Sequence, residues 1–286
     1  MLRFSIVTSS FNQVRYLEDC LLSVKQQGYS DMEHIVVDGG SADGSVELLR
    51  DYSARAGWGH LRWISERDNG QSHALNKGFR MATGDVIGWL NSDDFYLEDC
   101  LHKVAKKFSD SDVPDVVYGD YVWTDDHRRI TQVRREIAFS RFVLLHNHVT
   151  YIHSSGALFF KRHIVEAGHR LNEQYHYSMD YEFYLRLAEA GYRFTHLPAL
   201  LSGFRWHGKS KSVASASRQT SEYESARRSH LIKHGQLDSV DERSLRLVLL
   251  RTLANCRRWG EKALRGCYFP SVKSGARLTF PRKTDG

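Results

Sequence analysis

The chain has 286 residues, 41% hydrophobic and 26% charged, with a net charge of +6 at pH 7 and a pI near 9.1. That length supports one large domain or one domain with an appendage, and the balance excludes a disordered or fibrous protein. Cys20, Cys100, Cys256 and Cys267 form no Cys-x-x-Cys pair, which argues against a zinc knuckle or redox pair, and no run reaches the length of a membrane-spanning helix.

MLRFSIVTSSFN enters a strand pattern at once with no signal-peptide core, so a reducing, cytoplasmic setting is expected. Residues 4–8 predict the first strand, and Val14, Leu17, Leu21 and Val24 fall at helical spacing up to Gly28. The pattern then repeats, with strand 34–38, helix 43–50, strand 61–65, helix 72–81 and strand 85–90. Alternation of this kind predicts an α/β fold with a mostly parallel sheet and helices on both faces. Beyond it, 115–123 and 129–136 read as a pair of strands around Asp125-Asp126-His127, and 157–162 as a short strand. Met179 to Ala190 reads as an amphipathic helix capped by Gly191, YRFTHL as a strand, and SGFRWHGKS as an irregular segment.

In such sheets ligands bind outside the carboxyl ends of the strands. The segments that follow the first four strands are TSSFN, DGGSADGS, ERDNGQS and NSDD. One Asp-rich turn is ordinary chain-reversal chemistry, but four polar loops on one sheet edge predict a site.

In order, FSIVTSSFNQVRYLEDCLLSVKQQ, VVDGGSADGS, SERDNGQSHALNKGFRMATGDVIGWLNSDD and SMDYEFYLRL resemble the family 2 glycosyltransferases. The resemblance covers roughly the first three quarters of the chain, and several motifs in order are far more specific than one short pattern. It implies a GT-A, Rossmann-like fold and inverting transfer of a sugar from a nucleotide diphosphate, probed first as UDP. It also implies a divalent cation, Mn or Mg, and a glycan or lipid-linked glycan acceptor of polysaccharide biosynthesis. The implied domains are 1–214, catalytic, with 1–95 holding the nucleotide sugar and 96–214 the acceptor, and 215–286, a helical extension.

Residue by residue, Asn91-Ser92-Asp93 occupies the family's Asp-x-Asp, so Asp93 is the implied cation ligand, with Asn91 and Ser92 at the donor. Because Asn91 replaces a carboxylate, it brings no charge to the cation, and weak cation affinity without donor is expected. His207, in FRWHGKS, matches a downstream His that completes the metal or diphosphate site. Asp38 matches a residue facing the nucleoside, followed here by Gly39 where relatives are often acidic. Ser9 and Ser10 match the nucleobase pocket. Asp68, Gln71 and Lys77 match nucleotide contacts, although Lys77 equally suits a solvated helix position. Asp180 matches the catalytic base: inversion needs one carboxylate that takes the acceptor's proton on the face opposite the leaving group. An Asp at a helix start also complements the helix dipole, and Glu182 is the reserve candidate. His153, Ser154 and Ser155 fall where the acceptor side is expected.

From Asp241 onward 11 basic residues stand against 4 acidic, a net +7, which leaves −1 for the first 240 residues. Leu245, Val248, Leu249, Leu253 and Cys256 share a helical stripe, with Arg243, Arg246, Arg251, Arg257 and Arg258 around it. Packing on the catalytic domain, a dimer contact and a helix lying on an anionic membrane are the three readings, the last giving a peripheral location on the inner face. A nucleic-acid partner is not expected, because no recognisable module accompanies the charge. A catalytically silent sugar-nucleotide-binding relative is the alternative that Asn91 raises. A sugar nucleotidyltransferase would need a Gly-rich, Arg-containing first loop, which TSSFNQ is not.

Overall fold

A computed structural model of the chain describes residues 1–110, 112–147, 152, 154–208, 216–233, 245–268 and 275–278. The first half alternates as its periodicity predicts. β1 (Phe4–Ser10), α1 (Val14–Lys25), β2 (Met32–Asp38), α2 (Ser45–Ala54), β3 (Leu61–Ser65), α3 (Gln71–Met81) and β4 (Val86–Trp89) follow in order. β2 illustrates why: Ile35 and Val37 enter one apolar layer with Leu75 and Phe79, while Val36 enters another with Leu17, Leu21 and Leu49. A strand covered on both faces reads as an unbroken apolar run, which is what HIVVD is.

Nine strands form one sheet in the order β3-β2-β1-β4-β8-β6-β9-β5, with β7 added on β6. The later elements are β5 (Phe95–Tyr96), α4 (Cys100–Phe108), β6 (Val116–Thr124), β7 (Ile130–Arg134), α5 (Arg141–His146), β8 (Leu158–Lys161), α6 (His163–Glu166), α7 (Met179–Glu189) and β9 (Phe194–Arg205). β1 to β4 pair in parallel, whereas β8 lies antiparallel to both β4 and β6, so the sheet becomes mixed past its middle. One expectation is corrected here. Ser202 to Arg205 are not irregular but belong to β9, because they pair with Tyr121 to Thr124 of β6 and with β5. Gly203 makes that possible, since a Cβ on it would stand 2.2 Å from the Phe95 ring.

Two helices follow, α8 (Ala216–Lys233) and α9 (Leu245–Leu264). α8 packs on α7, with Tyr223 against Tyr181 at 4.8 Å between ring centroids. α9 docks through a charged face. Arg258 and Lys262 reach the buried Glu136 carboxylate at 3.2 and 3.0 Å, and Glu261 accepts from the Ala138 amide at 2.7 Å. Leu247 and Ala254 are buried on that face, while Val248, Leu249, Leu253 and Cys256 of the apolar stripe face outward, so of its three readings packing on the catalytic domain is the one these four do not take. The boundary at 214/215, together with Arg243, Lys273, Arg282, Lys283 and His153, lies outside the described residues.

Candidate active site

The carboxyl ends of β1 to β4 open onto a cleft of about 900 Å³ whose far wall is α7 and α8. Ser9, Ser10, Asp68, Gln71, Asn91, Ser92, Asp93 and Asp180 all line it, as does Ser155. Residues drawn from five separate stretches of sequence thus share one space.

The loops on the donor side are held by their own side chains. Asp38 is fully buried beneath the second loop. Its Oδ2 accepts from the Gly40 and Ser41 amides at 3.0 and 2.9 Å and from Ser65 Oγ at 2.7 Å, and its Oδ1 accepts from Ser41 Oγ. It therefore shapes the loop and does not line the cleft. Asp68 Oδ1 accepts from the Gly70 amide at 2.8 Å, and its other oxygen fills the room that the missing side chain of Gly39 leaves, 2.8 Å from where a Cβ would stand. Lys77 does not line the cleft either, because its ammonium bonds Glu66 at 2.7 Å.

The fourth loop divides its polar groups between the cleft and the interior. Asn91 Oδ1 accepts from Gln71 Nε2 and Trp89 Nε1 at 2.9 and 3.0 Å, and its Nδ2 donates to Asp94. Asp94 turns inward and accepts from the Arg205 amide at 2.9 Å; burial beside Asp93 holds its carboxyl well above the usual range. Asp93 points outward and meets His207 Nε2 at 3.0 Å. The His207 ring is buried behind Asp93 against Tyr16, 4.6 Å between centroids, so it reaches the site through that carboxylate and is not on the cleft wall. Arg205, two residues earlier, is locked to Asp19 at 2.8 Å.

Among the described residues no group of three His, Cys, Asp or Glu side chains is gathered for a metal ion. Of the expected pair Asp93 and His207, only the Asp93 carboxylate faces the cleft, with His207 behind it as its hydrogen-bond partner. A single hard oxygen of this kind suits a divalent cation only where phosphate oxygens and water fill its remaining positions.

Asp180 opens the first turn of α7, partly exposed to the cleft and surrounded by protein on its other sides. Burial pushes its carboxyl up to about 7; the Tyr181 amide at 2.8 Å works against that rise and the nearby Glu222 carboxylate adds to it. Glu182 is instead paired with Arg186 at 2.6 Å. Ser154 is buried and bonds Ser202, leaving Ser155 as the nearer of the two to the cleft.

Phe11, Arg67, His176, Tyr177 and Gln219 also line the cleft and were not singled out from the sequence. Phe11 and Arg67 lie in the first and third loops, so the rule that loops after parallel strands build the site would have included them. Gln219 comes from α8, past the point where the resemblance fades.

Residues 5–168 match the profile described as Glycosyl transferase family 2. A PGL/p-HBAD biosynthesis glycosyltransferase of Mycobacterium tuberculosis is 31% identical over 186 residues, 64% of this chain and 68% of that protein. An uncharacterized glycosyltransferase of Nostoc sp. is 33% identical over 117 residues, and there the match spans 41% of this chain and only 36% of the relative. Among solved structures, Staphylococcus aureus TarS in complex with UDP-GlcNAc aligns over 90% of this chain and 73% of its own, with TM-score 0.64 and 15% identity. The mannosyltransferase PcManGT of Pyrobaculum calidifontis, in complex with GDP-Man and Mn2+, aligns over 94% and 76%, with TM-score 0.61 and 16% identity. The expected GT-A architecture, an α/β sheet flanked by helices with helices at the C-terminus, is the one observed. Profile, relatives and fold agree, and the chain belongs to glycosyl transferase family 2.

Proposed function

We propose that the protein transfers a sugar from a UDP-linked donor to a hydroxyl of a glycan or lipid-linked glycan, by a single displacement that inverts the anomeric carbon. The observation that carries this reading is Asp180, a cleft-lining carboxylate whose carboxyl is raised to about 7. A general base is most effective with a pKa near the working pH. The acceptor hydroxyl gives its proton to Asp180 as its oxygen attacks, while the bond from the anomeric carbon to the diphosphate breaks on the opposite face.

On the donor side, Ser9, Ser10, Asp68 and Gln71 hold the nucleotide, with Asn91 and Ser92 at its diphosphate end. Asp38 acts through the shape of the second loop, and Lys77 at one remove through Glu66. Asp93 would hold a divalent cation, with His207 orienting that carboxylate from behind, and the cation would offset the negative charge that gathers on a diphosphate leaving group. Support comes from the solved structures that share the fold, one with UDP-GlcNAc and one with GDP-Man and Mn2+. A panel of UDP- and GDP-sugars, with and without Mn or Mg, scored for thermal stabilisation and slow donor hydrolysis, tests the reading. Metal-dependent stabilisation and hydrolysis of a UDP-sugar supports it; a GDP-sugar acting instead would replace the donor, and no binding at all would remove the activity.

A peripheral membrane position is part of the proposal. No helix among the described residues is long and apolar enough to cross a membrane. The outward face of α9 carries Val248, Leu249, Leu253 and Trp259, the last 62% exposed, with exposed Arg246 and Arg257 beside them. Apolar side chains edged by arginines suit an anionic lipid surface. Sedimentation with phosphatidylglycerol vesicles, and not with phosphatidylcholine alone, is expected, and Leu249→Glu with Trp259→Glu should abolish it. A dimer in solution that those changes dissolve would assign the face to a second copy instead.

A further inference from the structure

α7, the helix that carries Asp180, has no side chain of its own capping its N-terminus. The cap comes from another helix. Glu222, on α8, accepts with Oε2 from the backbone amides of Tyr177 at 2.7 Å and Ser178 at 3.0 Å, with both oxygens from the His176 amide at 3.0 and 3.1 Å, and from Ser178 Oγ at 3.3 Å. One turn earlier on α8, Gln219 donates to the Tyr177 carbonyl at 3.2 Å and lines the cleft itself. A carboxylate accepting several amides at a helix start satisfies donors the helix leaves open and sits at the favourable end of its dipole. Here those amides belong to His176, Tyr177 and the N-cap residue Ser178, the turn that leads through Met179 into Asp180.

We infer that Glu222 is the positioning residue for the catalytic base: α8 completes the active site by fixing the 176–178 turn, and through it the direction in which Asp180 faces the acceptor. The inference rests on the proposed role of Asp180. It also gives α8 a task in transfer that the cleft-forming sheet cannot perform, because all four strand-end loops lie on the other wall.

Glu222 acts on Asp180 in two ways that can be separated. Its hydrogen bonds orient the turn, and its negative charge helps keep the Asp180 proton on at neutral pH. The other titratable groups around Asp180 are the phenols of Tyr181 and Tyr184 on α7 and Tyr223 on α8, all raised by burial and neutral in the working range. Arg227 of α8 acts on Tyr181, and His176, Arg67, Asp68 and Asp93 stand around the same cleft. Glu222 is the one carboxylate α8 brings against the base.

The test compares Glu222→Gln, Glu222→Ala and Asp180→Asn with the full-length wild type in three measurements: UDP affinity, kcat against pH, and KM for donor. Glu222→Gln keeps an acceptor oxygen for the turn and loses the charge, so it should fold, bind UDP as the wild type does, and show its rising kcat limb about half a pH unit lower. Glu222→Ala loses the orientation as well, and kcat should fall by about 10- to 100-fold while donor KM stays within about twofold. Recovery of kcat in Glu222→Gln relative to Glu222→Ala is the signature of positioning. A wild-type pH limb in Glu222→Gln together with wild-type kcat in Glu222→Ala would overturn the inference while an inactive Asp180→Asn left the base reading intact. Wild-type transfer by Asp180→Asn would overturn both.

Discussion

The two walls of the cleft are built by different means. On the donor wall the second and third loops carry bonds that span a few residues, Asp38 to Gly40 and Ser41, Asp43 to Ser45 and Asp68 to Gly70, while longer ones tie Asp38 to Ser65, Asp94 to Arg205 and Asp93 to His207. On the other wall the groups around Asp180 are tied by bonds spanning more than forty residues, from Glu222 and Gln219 of α8, and α9, itself docked on Glu136, meets α8 through Arg251 and Glu224 at 3.7 Å. The second and third loops thus take part of their shape from their own residues, whereas the turn before Asp180 is held by a helix more than forty residues further along the chain. A family profile that ends at residue 168 therefore covers the donor wall and stops before the base.

The sharpest way to break this comparison is Asp180→Asn, which is expected to lower transfer by about 10²- to 10⁴-fold with nucleotide affinity unchanged. In the wild type the rate should rise with pH through about 7, as the base loses its proton, and the variant should lack that limb. The sign for stability is opposite. Because the folded pKa lies above that of an unfolded aspartate, ionising Asp180 costs stability as pH rises from about 4 to 7. Asp180→Asn should thus melt higher than the wild type at pH 8 and no higher at pH 4, and equal melting at both would contradict the enclosed setting of this carboxylate.

Glu136→Ala probes whether the second wall depends on the tail. It leaves Arg258 and Lys262 without their buried partner, at a cost of about 3 kcal/mol. Urea denaturation and limited proteolysis should find α9 released first; an unchanged midpoint would mean that its docking rests on Leu247, Ala254 and the Glu261–Ala138 bond without Glu136. Asp38→Ala is the matching change on the donor wall. Stranding two amides and two hydroxyls should cost about 1–3 kcal/mol and weaken UDP binding, with the kcat–pH limb unmoved. A shift of that limb would couple the walls more closely than their bonding suggests. Lys77→Ala should do least, under about 1 kcal/mol, since its partner Glu66 is mostly exposed. A tenfold loss of UDP affinity would move Lys77 onto the cleft wall after all.

The same division decides what could be read from the residues alone. The run of strands and helices through β4 was legible because apolar periods of 2 and 3.6 report burial directly, and the site edge followed from it. Asp93 and Asp180 stood out through motif order, and both line the cleft. Asp38 was legible as a special position but not in its direction, since a carboxylate bonding its own loop and one facing a ligand have the same letter. The last residues of β9 were obscured because Ser202, Gly203 and Arg205 have little strand preference, and only pairing with two neighbours makes them a strand. Glu222 left no signal at all, because its partners are main-chain amides, which every residue carries.

The inward turn of Asp94 and the amide at Asn91 have a thermodynamic consequence. Together they leave Asp93 as the one carboxylate that this loop offers to the cleft. On the proposed reading, a cation meeting the free protein would gain little there, and most of its attraction would arrive with the two phosphates of the donor. Cation and donor would then be mutual ligands, and by linkage each would tighten the other by the same factor. Titrating the nucleotide at several fixed manganese concentrations, and manganese at several fixed nucleotide concentrations, should return one coupling constant from both directions.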